Sequence, residues 1–159
     1  MIVVSNTSPI NYLILIGQIN LLPQLFGQII IPQAVYDELS DVAAPPPVQT
    51  WIATPPPWLK IRPVSLSSDS VLDLLDPGEL AAILLAQELT ADLILLDDMK
   101  ARRIARERGL TITGILGILD RAATMKLINL PVVVDNLKNT SFWASESLLE
   151  KLLDKHSMT

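Results

Sequence analysis

The sequence contains no cysteine among its 159 residues and has one histidine, His156, near its end. Without cysteine there can be no disulfide bridge, no thiolate metal site and no cysteine nucleophile. A lone histidine near the C-terminus nearly excludes a histidine-based catalytic triad or a histidine zinc site. We therefore expect any metal ion to be held mainly by oxygen atoms, which favour Mg²⁺ or Mn²⁺.

Aromatic residues are scarce as well, at 4% of the chain, although half of all residues are hydrophobic. Leucine, isoleucine, valine and alanine must fill the core, as they do where helices cover a parallel sheet. No apolar run is long enough to cross a bilayer, and the first residues lack the features of a signal peptide. We expect a cytoplasmic protein with no membrane contact. The net charge of −5 argues against a general nucleic-acid binder.

Short apolar runs alternate with helical patterns along the chain. This alternation predicts an α/β fold, a three-layer α/β/α sandwich with a central parallel sheet. The length fits a single domain, residues 1–159, with an irregular proline-rich excursion at 41–58 and a helical tail from about residue 128. The predicted strands are Ile2–Ser5, Ile29–Ile31, Leu59–Val64, Leu93–Leu96 and Leu110–Thr113. The predicted helices begin near Pro9, Leu21, Pro32, Asp76, Met99, Ile115 and Val132, and a last amphipathic helix holds Leu148 to Leu153.

Polar residues follow two of the predicted strands. Asn6-Thr7-Ser8 come after the first strand, and Asp97-Asp98 come after a later one. In open α/β sheets ligands bind beyond the carboxyl ends of the strands. Carboxylates gathered there would need a cation to neutralise them, and Mg²⁺ can also activate a water molecule and take up charge on a phosphate oxygen. The further candidates for this acidic site are Glu38 and Glu79, both on predicted helices.

Each of these residues also has a simpler explanation. Asn6 or its polar neighbours would serve as a helix N-cap, and Glu79 in a first helical turn would complement the helix dipole. Glu38 would be an ordinary solvated helix residue. Asp97-Asp98 is harder to explain in this way, because a cap for the next helix accounts for one aspartate and not for both.

Five of the twelve basic residues are concentrated between Lys100 and Arg108, directly after the aspartate pair. Arginines beside a metal site could hold phosphate groups, which offsets the acidic net charge. The alternative is a solvated helix face whose C-terminal charges favour the helix dipole.

Taken in order, five segments between residue 2 and about residue 127 resemble PIN domains, especially a VapC-like bacterial branch. Each motif is weak alone, but their order and spacing together are fairly specific. The segments are Val3–Ile10, Ile30–Leu39, Asp76–Ile83, Leu95–Arg103 and Gly114–Gly117.

The resemblance implies a Mg²⁺- or Mn²⁺-dependent ribonuclease, often the toxin of a toxin–antitoxin pair and often a homodimer. RNA and an antitoxin protein would then be its partners. The acidic site of the family falls on Asn6, Glu38, Glu79 and Asp97 or Asp98 as metal ligands, with Glu79, Asp97 and Asp98 as the catalytic residues. The predicted RNA contacts are Ser8, Lys100, Arg102 and Arg103.

The chain departs from the family pattern at Asn6, where the family has aspartate. An amide oxygen can bind a metal but brings no negative charge, so metal affinity and activation of the nucleophile should both fall. Two hypotheses follow: a ribonuclease weakened at this position, or a PIN-like protein-binding module without catalysis. A third, a phosphoryl-transfer domain with Asp97 as nucleophile, is less favoured because such domains usually carry that aspartate after the first strand, where Asn6 stands.

Overall fold

Five strands form one parallel sheet in the computed structural model, which describes residues 1–65 and 75–157. The strand order is β3-β2-β1-β4-β5, so that β1 lies at the centre with β2 and β4 on either side. Ser5 of β1 is in register with Leu95 of β4, and both strands therefore end at the same edge. The strands are β1 (Val3–Ser5), β2 (Ile29–Pro32), β3 (Leu59–Arg62), β4 (Leu93–Leu95) and β5 (Ile112–Thr113).

Helices connect the strands and also form the C-terminal part of the chain. Local signals explain several of their ends. Asp76 begins α5 with a capping box, and Ser145 caps the last helix. Gly17 follows α1 with φ of 72°, a conformation that favours glycine. The helices are α1 (Thr7–Leu15), α2 (Leu21–Phe26), α3 (Gln33–Ser40), α4 (Pro46–Ala53), α5 (Pro77–Glu88), α6 (Met99–Glu107), α7 (Ile115–Thr124), α8 (Leu130–Lys138) and α9 (Glu146–Lys155).

Two hydrophobic clusters pack on opposite faces of the sheet. Neighbouring residues of β1 point to opposite faces, with Val3 in the larger cluster and Val4 in the smaller. The larger cluster holds buried residues of α1–α4 and α7–α9, and the smaller holds those of α5 and α6. The prediction of a three-layer α/β/α sandwich is therefore confirmed.

The proline-rich excursion at 41–58 was predicted to be irregular, and this was wrong for eight of its residues. They form α4, in which Pro46 and Pro47 occupy the first turn, where a missing N–H costs nothing. Val48 and Ile52 of this helix are buried in the larger cluster. A count of prolines missed this helix because proline disrupts the interior of a helix but not its start.

Other predicted boundaries differ by a few residues from those observed. The first helix begins at Thr7 rather than at Pro9, and the helix expected near Val132 begins at Leu130. The predicted single domain 1–159 includes residues 66–74 and 158–159, which lie outside the described residues. Within the described part of the chain, no helix combines the length and the apolar character needed to cross a bilayer.

Candidate active site

A pocket of about 950 Å³ lies at the carboxyl edge of the sheet, where β1 and β4 end. Parallel strands place their carboxyl ends together, and this brings residues far apart in sequence to one place. Of the nine residues predicted for the site, seven line this pocket: Asn6, Ser8, Glu38, Glu79, Asp97, Asp98 and Arg102.

The side chain of Asn6 does not serve the capping role that would have explained it. Its backbone N–H donates to the carbonyl of Leu95 at 3.0 Å, which fixes it beside β4. The residue stands at the N-cap position of α1, but its side chain makes no capping hydrogen bond. Asn6 is only 5% exposed, and its Oδ1 has no hydrogen-bond partner among the described residues. A buried acceptor in this state costs about 1–3 kcal/mol, so Oδ1 needs a ligand such as a cation or a water molecule.

Asp97 uses one carboxylate oxygen for structure and leaves the other without a partner. Its Oδ1 accepts the backbone N–H of Ile115 at 2.8 Å, which ties β4 to the start of α7. Its Oδ2 is buried and has no hydrogen-bond partner in the described part of the chain. Burial raises the pKa of Asp97 above its ordinary value, and the Ile115 N–H, the Arg102 guanidinium and the Ser8 hydroxyl oppose that rise. Asn6 and Asp97, which carry these two unpartnered oxygens, thus both line one pocket.

Asp98 makes different contacts from Asp97. Its side chain accepts the backbone N–H of Ala101 at 2.9 Å and caps α6. A capping role therefore explains Asp98 but leaves the free oxygen of Asp97 unexplained. The structure thus distinguishes the two aspartates, which the sequence left equivalent: Asp98 caps α6, and Asp97 keeps one buried oxygen without a partner among the described residues.

Glu79 is the most perturbed carboxyl group in the pocket. It is 8% exposed and forms a capping box with Asp76, in which Asp76 accepts the Glu79 N–H at 2.8 Å. Burial raises the pKa of Glu79 to about 7, and repulsion from Asp76, Asp98 and Glu38 adds to this rise against the backbone hydrogen bond from Asp76. The carboxylates of Asp98 and Glu38, which come from two other elements, help to raise the pKa of Glu79. Acids that are distant in sequence are thus close together in the pocket, as predicted.

Glu38 of α3 is held by residues of two helices that are distant in sequence, α1 and α5. The Thr7 hydroxyl donates to its Oε2, and a hydrogen bond from the Gly78 backbone lowers its pKa. Burial is nevertheless the largest effect and raises the pKa of Glu38 above its ordinary value. A Cβ at Gly78 would lie 2.5 Å from Oε1 of Glu38, so a larger residue at this position would displace the carboxylate. Glu38 is therefore a fixed member of the site and not an ordinary surface residue.

The predicted RNA contacts fall into two groups. Arg102 is half-buried, lowers the pKa of Asp97 and has a buried Nε without a partner among the described residues. Lys100 and Arg103 are exposed on the same helix but do not line the pocket. Ser8 lines the pocket beside Asp97. Arg102 thus lies in the pocket near Asp97, while Lys100 and Arg103 are exposed to solvent.

Several residues of the site were not identified from the sequence. The Thr7 hydroxyl donates to Glu38, and Asp76 forms a capping box with Glu79. The spacing Asp76-Pro77-Gly78-Glu79 is a local sequence signal for the second of these contacts. A second group carried no signal, because it comes from the C-terminal part of the chain and reaches the pocket only through the tertiary fold. This group includes Phe142, Trp143, Ser145 and Leu148.

Few side chains of the pocket are available to bind a divalent cation directly. Across residues 1–65 and 75–157, no group of three aspartate, glutamate or histidine side chains is arranged to hold an ion by itself. Glu79 and Asp98 are engaged by their capping bonds, and the ligand on β1 is an amide. Mg²⁺, however, keeps several waters and is usually bound through one or two carboxylates together with substrate phosphates. The free oxygens of Asn6 and Asp97 fit that kind of site.

Comparison with known proteins gave one finding. Neither the search of curated proteins nor the search of solved structures returned a match. A family model described as "PIN domain" matches residues 2–158, which is nearly the whole chain. Together with the parallel sheet and the acids at its carboxyl edge, this match shows that the chain belongs to the PIN domain family.

Proposed function

We propose that this protein is a Mg²⁺- or Mn²⁺-dependent endoribonuclease of a VapC-like branch of the PIN family, weakened by asparagine at position 6. One observation carries the proposal. Asn6 and Asp97, each with a buried oxygen that has no partner among the described residues, line the same pocket as Glu38 and Glu79. Oxygens left unsatisfied beside carboxylates of raised pKa are what a site for a divalent cation requires.

Asn6 and Asp97 would hold the ion directly, and Glu38, Glu79 and Asp98 would contribute through its waters. A bound ion would lower the pKa of a water molecule and take up charge on a phosphate oxygen. A side chain of the protein would take up the proton that this water molecule releases. Glu79, whose pKa is about 7, can accept or release a proton near neutral pH, as a general base must.

Arg102 lies close enough to Asp97 to lower its pKa, and two further cations of the same helix, Lys100 and Arg103, are exposed to solvent. These side chains can hold the phosphates on either side of the cleaved bond, which answers the objection raised by the net charge of −5. The phosphoryl-transfer hypothesis has no comparable support, because the residue after β1 is an amide.

The second candidate is a PIN-like module that binds a protein and does not cleave RNA. Its support is the neutral side chain of Asn6, which removes one negative charge from the metal site. Exposed apolar side chains away from the pocket also favour a protein partner, whether an antitoxin or a second copy of this chain: Met125 is 53% exposed, Leu127 41% and Val132 53%.

A comparison of four proteins tests the proposal: wild type, Asn6→Asp, Asp97→Asn and the control Asp135→Asn, which removes an exposed charge on α8. We expect Mn²⁺ to raise the Tm of wild type and of the control, and both should cleave an unstructured RNA. Asn6→Asp should cleave at least tenfold faster and show a larger Mn²⁺ shift, because it restores a charged ligand. Asp97→Asn keeps an acceptor for Ile115 but should lose both responses.

The outcomes separate the two candidates. An inert wild type together with an active Asn6→Asp variant would establish the binding module. If Mn²⁺ causes no shift and RNA stays intact even with Asn6→Asp, the nuclease proposal is wrong. For the toxin and partner part of the proposal, a small antitoxin-like reading frame beside the gene and co-purification of its product are the expected findings, and a monomer in sedimentation would contradict the homodimer.

A further inference from the structure

The pocket lining also contains apolar residues from the C-terminal part of the chain, which we call the apolar wall. In this wall Trp143 is 82% exposed and Leu148 is 50% exposed, and Met99 of α6, which also lines the pocket, is 76% exposed. The other two tryptophans behave differently: Trp51 and Trp58 lie with ring centroids 5.7 Å apart and pack against the larger hydrophobic cluster. A tryptophan side chain left in water forgoes a large burial energy, so its exposure beside a candidate active site calls for an occupant.

The segment that carries Trp143 is anchored on both sides. On one side, the ring of Phe142 packs edge-on against Tyr12 of α1, with centroids 5.3 Å apart, and the Tyr12 hydroxyl lies 2.8 Å from Ser141 Oγ. On the other side, Ser145 accepts the Leu148 N–H and caps α9. The backbone on each side of Trp143 is therefore fixed, so stacking of the indole against a ligand costs little backbone entropy and orders only two side-chain torsions.

On the basis of the proposed function, we propose that Trp143 is a positioning residue whose indole stacks on an unpaired nucleobase next to the phosphate held at the acidic wall. The two walls require different chemistry of one ligand: an anionic group that shares a cation with Asn6 and Asp97, and a flat apolar face for Trp143. A nucleotide has both groups. A volume of about 950 Å³ also exceeds what one hydrated ion needs and can admit a base with its sugar.

Stacking of this kind has two consequences for the substrate. A base in a duplex has its faces covered by its neighbours, so Trp143 can reach only a base in a single-stranded stretch. Every base has a flat π-face, so the stack contributes affinity with little preference for sequence. Cleavage should therefore require unpaired RNA at the bond that is cut and tolerate any base beside it.

The test compares wild type with Trp143→Ala, Trp143→Phe and the control Val42→Ala, which shortens an exposed apolar side chain that does not line this pocket. Because Trp143 is exposed, its replacement should leave the Tm unchanged. The probe is a fluorescently labelled, unstructured RNA hexanucleotide, and its anisotropy is measured with Ca²⁺ in place of Mn²⁺. We expect Trp143→Ala to raise Kd about tenfold, with Trp143→Phe and the control close to wild type.

A second probe separates stacking from a general loss of binding. An oligomer of the same length with abasic sugars carries the phosphates without bases, so wild type and Trp143→Ala should bind it equally. Equal binding of the hexanucleotide by these two proteins would overturn the role of Trp143 and leave the nuclease proposal standing. If Trp143→Ala instead abolishes capture of a protein partner and leaves RNA affinity unchanged, this wall is a protein-docking surface. Failure of wild type to bind RNA at all would overturn both proposals.

Discussion

The raised pKa of Glu79 predicts that the metal-free protein loses stability as pH rises through the range where this carboxyl ionises. The pKa lies near 4.5 in the unfolded chain and at about 7 in the folded protein. Between these values the folded state binds more protons than the unfolded state. The free energy of unfolding therefore falls as pH increases from about 4.5 to about 7.

The size of the effect follows from the width of that range. A span of about 2.5 pH units at 1.36 kcal/mol per unit gives an upper limit of about 3.4 kcal/mol. Glu79 borders an open pocket whose water screens the charge, so we expect about 1–3 kcal/mol. Glu38 and Asp97 also have raised pKa values and add to the loss in the same direction.

The assay is urea unfolding in EDTA at pH 5, 6, 7 and 8, for wild type and for Glu79→Gln. Glutamine is accepted at this position of a capping box, so the variant should fold. Its stability should decline less with pH than that of wild type, and the difference between the two proteins isolates the contribution of Glu79. Mn²⁺ should stabilise wild type more at pH 8 than at pH 5, because the ion competes with the proton.

Parallel pH profiles for the two proteins would refute the reasoning. That result would mean that Glu79 does not bear the repulsion inferred from burial and from Asp76, Asp98 and Glu38. A wild-type stability that rises from pH 5 to pH 8 in EDTA would also contradict it, since the raised pKa values in this pocket all act in the opposite direction.

Two further predictions concern fixed contacts. Gly78→Ala should lower the free energy of unfolding in urea by about 1 kcal/mol at most, because the added Cβ would lie 2.5 Å from Oε1 of Glu38 but that carboxylate ends a side chain that can move. In a Glu38→Ala background the same change should cost nothing, and an equal loss in both backgrounds would contradict this contact. Burial alone would raise the pKa of Asp120, but hydrogen bonds from His156 and Lys155 hold it below its ordinary value. Asp120→Asn should therefore lower the free energy of unfolding by about 0.5–1 kcal/mol at pH 6 in low salt. The loss should disappear once pH falls well below 3.8, because the carboxyl group is then protonated. An equal loss at both pH values would exclude this ion pair as the cause.

The architecture could be predicted from the sequence because short apolar strands alternate with helical patterns. All five strands fall where those patterns placed them, with ends that differ by a residue or two. The helix α4 was missed because proline dominates its first turn, and proline counts alone do not distinguish a helix start from a loop. The edge of the sheet at which the pocket lies also followed from the parallel order of the strands.

The division of labour within the site could not be predicted in the same way. Asp97 and Asp98 are adjacent and chemically identical, and only the tertiary fold shows that one caps α6 while the other holds Ile115. The approach of Gly78 to Glu38 depends on how α5 packs against α3, which no local pattern records. Trp143 likewise reaches the pocket through the packing of the C-terminal segment and not through any motif.

Asn6 gains a physical rationale when the charges around it are considered. The pocket already holds five carboxylates, and three of them have raised pKa values: Glu38, Glu79 and Asp97. A sixth carboxylate at position 6 would add repulsion in the metal-free protein, and an amide provides a ligand oxygen without that cost. If the proposed metal site is correct, asparagine at this position would lower metal affinity and stabilise the metal-free state. The faster cleavage expected of Asn6→Asp should therefore come with a lower Tm in EDTA. The added negative charge would raise the cleavage rate and lower the stability of the metal-free protein.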